Sequence, residues 1–325
     1  MKKLNQMWSM MVLIVCFSAT TVLNSCSKND NNGGGNTGPT APTNPGGYDS
    51  SSQIAASNLV AYFPFEGNYN DVKGGLTGTN NGATFGTGVK GQAYQGSGQN
   101  FVSFTNVGNL ASLHSYTLSA WVKINSQPVA DNGTFSPSTG TMGIFSMYDT
   151  VTGDPNLMLL EFEPYTPVSG DSVRVHPGFN NTGNNAGAGW KAIIPEAFLD
   201  TGIGKWTQIV MTYDGGSSNY TLYQNGTAIA AQSAWTSRTD LTPFTVLNGP
   251  SGDPTTGNMG PINYVNTPAG FIIGGWPYNS ISNPKFGSQP WAGYLQGNLD
   301  ELRIYNSALN STDVKSLYIL EKAGF

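Results

Sequence analysis

From Leu59 to Tyr305 the chain alternates apolar and polar residues in short runs separated by Gly, Asn and Asp. The clearest run is Tyr116 to Ile124. It places Tyr116, Leu118, Ala120, Val122 and Ile124 on one side of an extended chain. Successive side chains of a strand point to opposite faces, so this period of two predicts a strand with one buried face. Leu59–Phe65, Phe101–Phe104, Thr141–Met147, Leu157–Phe162, Phe271–Gly274 and Gly297–Tyr305 predict further strands. Trp206–Tyr213 and Tyr220–Gln224 predict a hairpin across Asp214-Gly215-Gly216. Asn225-Gly226 then gives the tightest turn signal in the chain, because both residues tolerate the positive φ such turns demand. Near the end the period changes. Asn310 can cap a helix, Asp313 lies in its first turn, Val314, Leu317 and Tyr318 follow at helical spacing, and Gly324 sits where it would stop. Strands without intervening helices predict an all-β fold: a two-sheet antiparallel sandwich with one short C-terminal helix. The loops at 125–140, 164–204 and 232–270 are long enough to carry function.

Composition agrees. Only 10% of residues are charged, 11% are aromatic, and 42 are Gly, as expected of strands joined by polar loops. The 14 basic and 19 acidic residues give a net charge of −5. A nucleic-acid binder would show a basic face, so that class is excluded.

The first 25 residues read differently. Lys2 and Lys3 precede an apolar run from Met7 to Val22, followed by Leu23-Asn24-Ser25-Cys26. A charged start, a short apolar stretch and a small residue before the cut predict a secretory signal over 1–25. The run is too short and too broken for a span of about 20 apolar residues. Leu23, Ser25 and Cys26 resemble the lipobox of bacterial lipoproteins, which implies lipid on Cys26. Cys16 lies in the segment that would be removed, so Cys26 is the lone cysteine of the mature chain, and lipidation accounts for it. Loss of Lys2 and Lys3 leaves 12 basic against 19 acidic residues, a net charge of −7. Residues 26–57 carry the lipidated cysteine and a Gly-, Asn- and Pro-rich tether with little to bury, which predicts disorder. This start resembles that of Bacteroidetes surface lipoproteins, which implies the cell outer membrane and outward display. The folded domain is expected over 58–325.

Five segments in order are similar to LamG-like domains of the concanavalin A-like lectin/glucanase superfamily. They are Leu59–Asn68 with Asn70-Asp71, Tyr116–Lys123, Trp206–Asp214 with Leu222–Gly226, Phe271–Gly274, and Gly293–Leu309 with its Asp300-Glu301-Leu302-Arg303-Ile304-Tyr305 core. The resemblance spans about 59 to 320 and implies a jelly-roll sandwich.

Three chemistries are candidates. Related glucanases place Glu, Asp and Glu at alternating strand positions. Here Glu161 and Glu163 share a face, but Tyr165 takes the third position, so the motif is incomplete. The resemblance also implies calcium, a hard ion that takes six to eight oxygens. Glu66, Asn68, Asn70 and Asp71 in the first loop and Asp300 and Glu301 in the last strand offer oxygens, with Asp71 and Asp300 preferred. Ordinary turn chemistry is the competing account of these residues. His114 and His176 are the two histidines, and neither belongs to a His/Cys set with zinc spacing. For sugars, Trp190, Trp235, Trp276, Tyr278 and Trp291 lie in or beside the later loops, whereas Trp121 and Trp206 sit in strand patterns and read as core. The leading expectation is a non-catalytic, surface-displayed glycan- or polysaccharide-binding module anchored through Cys26. A glycoside hydrolase or lyase using Glu161 and Glu163, and a structural domain with surface protein partners, are the alternatives.

Overall fold

A computed structural model describes residues 39–153, 157–164, 172–179, 197–199, 203–229, 244–245 and 259–325. Cys26, Trp190 and Trp235 lie outside the described residues. In chain order the strands are β1 (Leu59–Phe63), β2 (Thr79–Asn81), β3 (Thr84–Thr87), β4 (Gln92–Gly96), β5 (Phe101–Phe104), β6 (Tyr116–Ile124), β7 (Thr141–Tyr148), β8 (Met158–Glu163), β9 (Val173–Phe179), β10 (Ala197–Leu199), β11 (Thr207–Asp214), β12 (Asn219–Gln224), β13 (Thr227–Ile229), β14 (Phe244–Thr245), β15 (Gly270–Ile273), β16 (Ala292–Tyr294) and β17 (Gly297–Tyr305), before helix α1 (Ser311–Lys322).

They form two sheets. Sheet A runs β13-β12-β11-β6-β17-β4-β3, with β1 beside β17 and β14 beside β12. Sheet B runs β10-β9-β8-β7-β15-β5-β2, with β16 beside β7. All pairings are antiparallel except β16 with β7. The two-sheet sandwich with one short helix expected from the alternation is the fold observed.

The alternation sets which residues meet between the sheets. Leu118, Ala120 and Val122 of β6, Ile209 and Met211 of β11 and Leu299, Leu302 and Ile304 of β17 face Ile144, Met158, Leu160, Phe162, Val175 and Phe271 of sheet B. Phe104 stacks on Phe271 at 4.2 Å, and Phe63 meets both edge-on at 5.4 and 5.9 Å. Burying one such side chain contributes about 1.5–3 kcal/mol.

A bulge in β17 between Asp300 and Arg303 lets both Leu299 and Leu302 face the core. Glu301 takes φ 48° there, and β17 exchanges one neighbour, β4, for another, β1. Extra residues of this kind bend a strand and end one pairing. The bulge turns Arg303 and Tyr305 to the outer face of sheet A, where α1 packs. Val314, Leu317 and Leu320 of α1 cover Val210, Tyr223 and Tyr305. Trp121 is buried, as its strand pattern predicts, but it stacks on Tyr318 of α1 at 5.5 Å. Trp206 is half-buried beneath the Lys123 ammonium, 5.1 Å from its ring, instead of in the core.

The compact unit begins at Thr40, earlier than the boundary at 58 expected from composition. Asn44 and Tyr48 close a turn through each other's polar atoms, and Tyr48 donates to Asp313 at 2.7 Å. The Gly46 amide donates to Ser316 Oγ, Ser51 Oγ donates to the Phe325 carbonyl, and Ile54 is buried against α1. A segment with little apolar surface is held here by hydrogen bonds to a helix far away in sequence, which composition does not show.

Candidate functional site

Met158, Leu160 and Phe162 of β8 point into the core, so Leu159, Glu161 and Glu163 point out of sheet B. The register sets Glu161 opposite His176 of β9 and Glu163 opposite Arg174. Four polar side chains that the chain separates thus share one outer patch. His176 Nδ1 lies 2.8 Å from Glu163 Oε1 and 3.6 Å from Glu161 Oε1, and Arg174 Nη2 lies 3.2 Å from Glu163 Oε2. Glu161 is only 5% exposed, with a donor oxygen within 4.8 Å of one of Glu163.

The two carboxyls are driven apart electrostatically. Burial, then the adjacent Glu163 charge, pushes Glu161 well above the usual carboxylate range, with Arg174 opposing. Burial would also raise Glu163, but the hydrogen bond from His176 and the charges of His176 and Arg174 outweigh it and hold Glu163 low. Burial thus disfavours charge on Glu161, while the cationic neighbours favour it on Glu163.

Aromatic side chains adjoin this patch. Gly143 of β7 faces Glu161, and the Trp276 ring lies over it, where a Cβ at residue 143 would come within 3.0 Å of that ring. Trp276 packs on Leu159 and Ala292 and donates Nε1–H to the Thr141 carbonyl at 3.0 Å. Trp291 meets Trp276 edge-on at 5.2 Å and Tyr278 edge-on at 5.3 Å. Of the three, Trp276 is 2% exposed and acts as the floor, whereas Trp291 and Tyr278 are half-buried and keep accessible faces. Asn279 holds their loop in place. It adopts φ 60°, donates to the Gln289 and Ala292 carbonyls and accepts from the Gln289 amide.

Most of the oxygens expected to hold calcium already accept hydrogen bonds or pair with a cation. Glu66 accepts from the Gln92 amide, and Asp300 accepts from the amides of Val89, Lys90 and Glu301. These two acids secure the β3–β4 turn. Asn68 accepts from the Asn70 amide and donates to the Glu66 carbonyl, which is turn chemistry. Glu301 pairs with Arg303 at 2.6 Å. Asp71 is different. Its Oδ1 accepts from the amides of Tyr62 and Lys73, while its Oδ2 is buried with no hydrogen-bond partner. That oxygen and the Val60 carbonyl both border the space a side chain at Gly74 would fill. Of the six candidate donors, Asp71 alone is found with a buried side-chain oxygen that has no hydrogen-bond partner.

The structure groups Glu161 and Glu163, read from sequence as an incomplete catalytic motif, with Arg174 and His176, and it groups Trp291 and Tyr278 with Trp276 beside Asn279; the sequence did not single out Arg174 and Asn279, or His176 as a neighbour of β8. The alternation Val173-Arg174-Val175-His176 was a readable strand signal for Arg174 and His176. Their pairing with β8 was not readable, because it depends on register across a long connection.

A sequence model of the concanavalin A-like lectin/glucanases superfamily matches residues 96–268. Among solved structures, domain 4 of an extracellular arabinanase from Geobacillus stearothermophilus, in complex with arabinotriose, is 19% identical with a TM-score of 0.48, over 80% of this chain and 98% of that one. A Trypanosoma rangeli sialidase in complex with sialic acid is 16% identical with a TM-score of 0.50, over 86% of this chain and 35% of that one. This chain thus spans about a third of the sialidase, and what they share at that identity is the fold. No curated protein matches the sequence.

Proposed function

Because the chain belongs to the concanavalin A-like lectin/glucanases superfamily, we propose that it binds a glycan on the outer face of sheet B and does not cleave it. One observation carries this reading: the half-buried Trp291 and Tyr278 pack with Trp276 against Leu159 on the outer face of β8, the face that also bears Glu161 and Glu163. Binding sites combine apolar faces with a few fixed polar groups, and a sugar ring presents both an apolar face and hydroxyls. The superfamily and the arabinotriose and sialic acid complexes of its structural neighbours support a glycan as the ligand class.

The carboxyl geometry supports binding over hydrolysis. A retaining glycosidase holds its pair about 5–5.5 Å apart, and an inverting one wider still, so that a glycosidic bond fits between them. Glu161 and Glu163 bring donor oxygens within 4.8 Å of each other, and Glu161 is buried away from a substrate. In this proposal Cys26 carries lipid and displays the domain outward from the cell outer membrane, where tethering raises effective concentration at the surface. A calcium ion at Asp71 Oδ2 and the Val60 carbonyl is a structural part of the same proposal, with no role for Glu66, Asn68 or Asp300.

A polysaccharide panel with the full chain tests the function. Binding without product release, lost in Trp291→Ala and Tyr278→Ala, is the expected result. Product release abolished by Glu161→Gln would establish a hydrolase or lyase instead. Silence across broad panels would favour a protein-interaction domain.

A further inference from the structure

Glu161, Glu163 and His176 are, among the described residues, the one group of three potential metal ligands whose donor atoms all lie within 4.8 Å of one another. The glycan reading uses them as polar contacts and gives no reason for so tight a convergence. Arg174 satisfies Glu163 from one side, and His176 reaches both carboxyls. Glu161 nonetheless sits only 5% exposed, with a donor oxygen within 4.8 Å of the donor atoms of Glu163 and His176, close enough for one ion to reach all three.

We propose that Glu161, Glu163 and His176 bind one first-row divalent cation of the zinc class. The donor set decides the class. An imidazole nitrogen with two carboxylate oxygens suits zinc and its neighbours, whereas calcium takes oxygens alone. Two adjacent strands hold the three donors, and metal–ligand bonds of about 2.0–2.2 Å require only small side-chain movements. On binding, the imidazole keeps Nε2–H while Nδ1 and one oxygen from each carboxyl bind the ion, and every proton displaced from Nδ1 or the carboxyls leaves to solvent. Three protein ligands leave further positions open to hydroxyls or carboxylates, which is the pattern of a site that engages a ligand rather than a closed structural one. Arg174 is the resident competitor, since its charge stands beside Glu163.

The test is a calorimetric titration of the full chain, made without a histidine tag and stripped with chelator, using Zn²⁺, Mn²⁺ and Ca²⁺ separately. One Zn²⁺ per chain at this site is expected, with Ca²⁺ not competing for it. His176→Ala should weaken binding at least about tenfold, since even outer contacts to metal ligands are worth that much. Arg174→Gln should tighten it about tenfold, the scale of removing one charge near a divalent ion at surface dielectric. A merely structural ion-pair cluster would not produce that gain. Absence of a zinc site in the folded wild-type chain, or one unchanged by both substitutions, would overturn the proposal. Neither result depends on whether a glycan binds, so this test and the glycan panel fail independently.

Discussion

Tyr116 and Tyr220 each bury a hydroxyl with no hydrogen-bond partner. A buried unsatisfied donor costs about 1–3 kcal/mol. Burial also pushes both phenols well up, and raises Tyr213 to about 12 against a hydrogen bond from Ser218. Above about pH 10 the unfolded chain releases these protons while the folded chain keeps them. Stability is therefore full below that pH and falls as pH rises towards 12. Tyr220→Phe is expected to be neutral or up to about 1 kcal/mol stabilising at neutral pH, and to flatten part of the alkaline fall. Melting temperatures followed from pH 7 to 11 check both parts. Arg303 makes the opposite case. It is held between Glu301 at 2.6 Å and Glu321 at 2.7 Å, lies 3.9 Å over the Tyr62 ring, and is buried throughout. Trp121 and Gln208 donate to Glu321 as well. Arg303→Met leaves two buried carboxylates without their cation and is expected to cost about 3–5 kcal/mol, read as a lower urea midpoint.

At the scale of elements, α1 and the segment before β1 stabilise each other. Asn310 Oδ1 accepts from the Asp313 amide at 2.9 Å, so Asn310→Ala should cost about 1 kcal/mol in thermal melts. A chain beginning at Asn58 loses the bonds from Gly46, Tyr48 and Ser51 to α1 and the C-terminus, and uncovers Ile54's partners. It should melt well below one beginning at Thr40, and equal melting temperatures would show that the segment is only a passenger. The turn after β1 carries the calcium prediction. If Asp71 Oδ2 holds the ion, EGTA should lower the melting temperature, and Asp71→Asn should abolish that response. The helix, its cap and its apolar stripe were legible in sequence because they obey local rules. The segment at 40–54 was not, since its partners lie more than 250 positions away and its own composition resembles a linker.

At the scale of the whole molecule, the two outer faces of the sandwich differ. Sheet A is covered by α1 and the chain from Thr40 onward, while sheet B presents Glu161, Glu163, His176 and the aromatic group. Cys26→Ala is expected to release the protein from membranes while leaving glycan binding unchanged, as measured by fractionation and a binding assay on the released chain. By itself the sequence determined the strand faces, the turns, the C-terminal helix and the two-glutamate face of β8, because each follows from residues within a few positions of one another. Only the tertiary structure decided that Glu161 meets His176, that Trp276 is a floor while Trp291 and Tyr278 are accessible, and that Asp300 secures a turn. Each of those depends on strand register and sheet order, which are fixed by packing across the whole core.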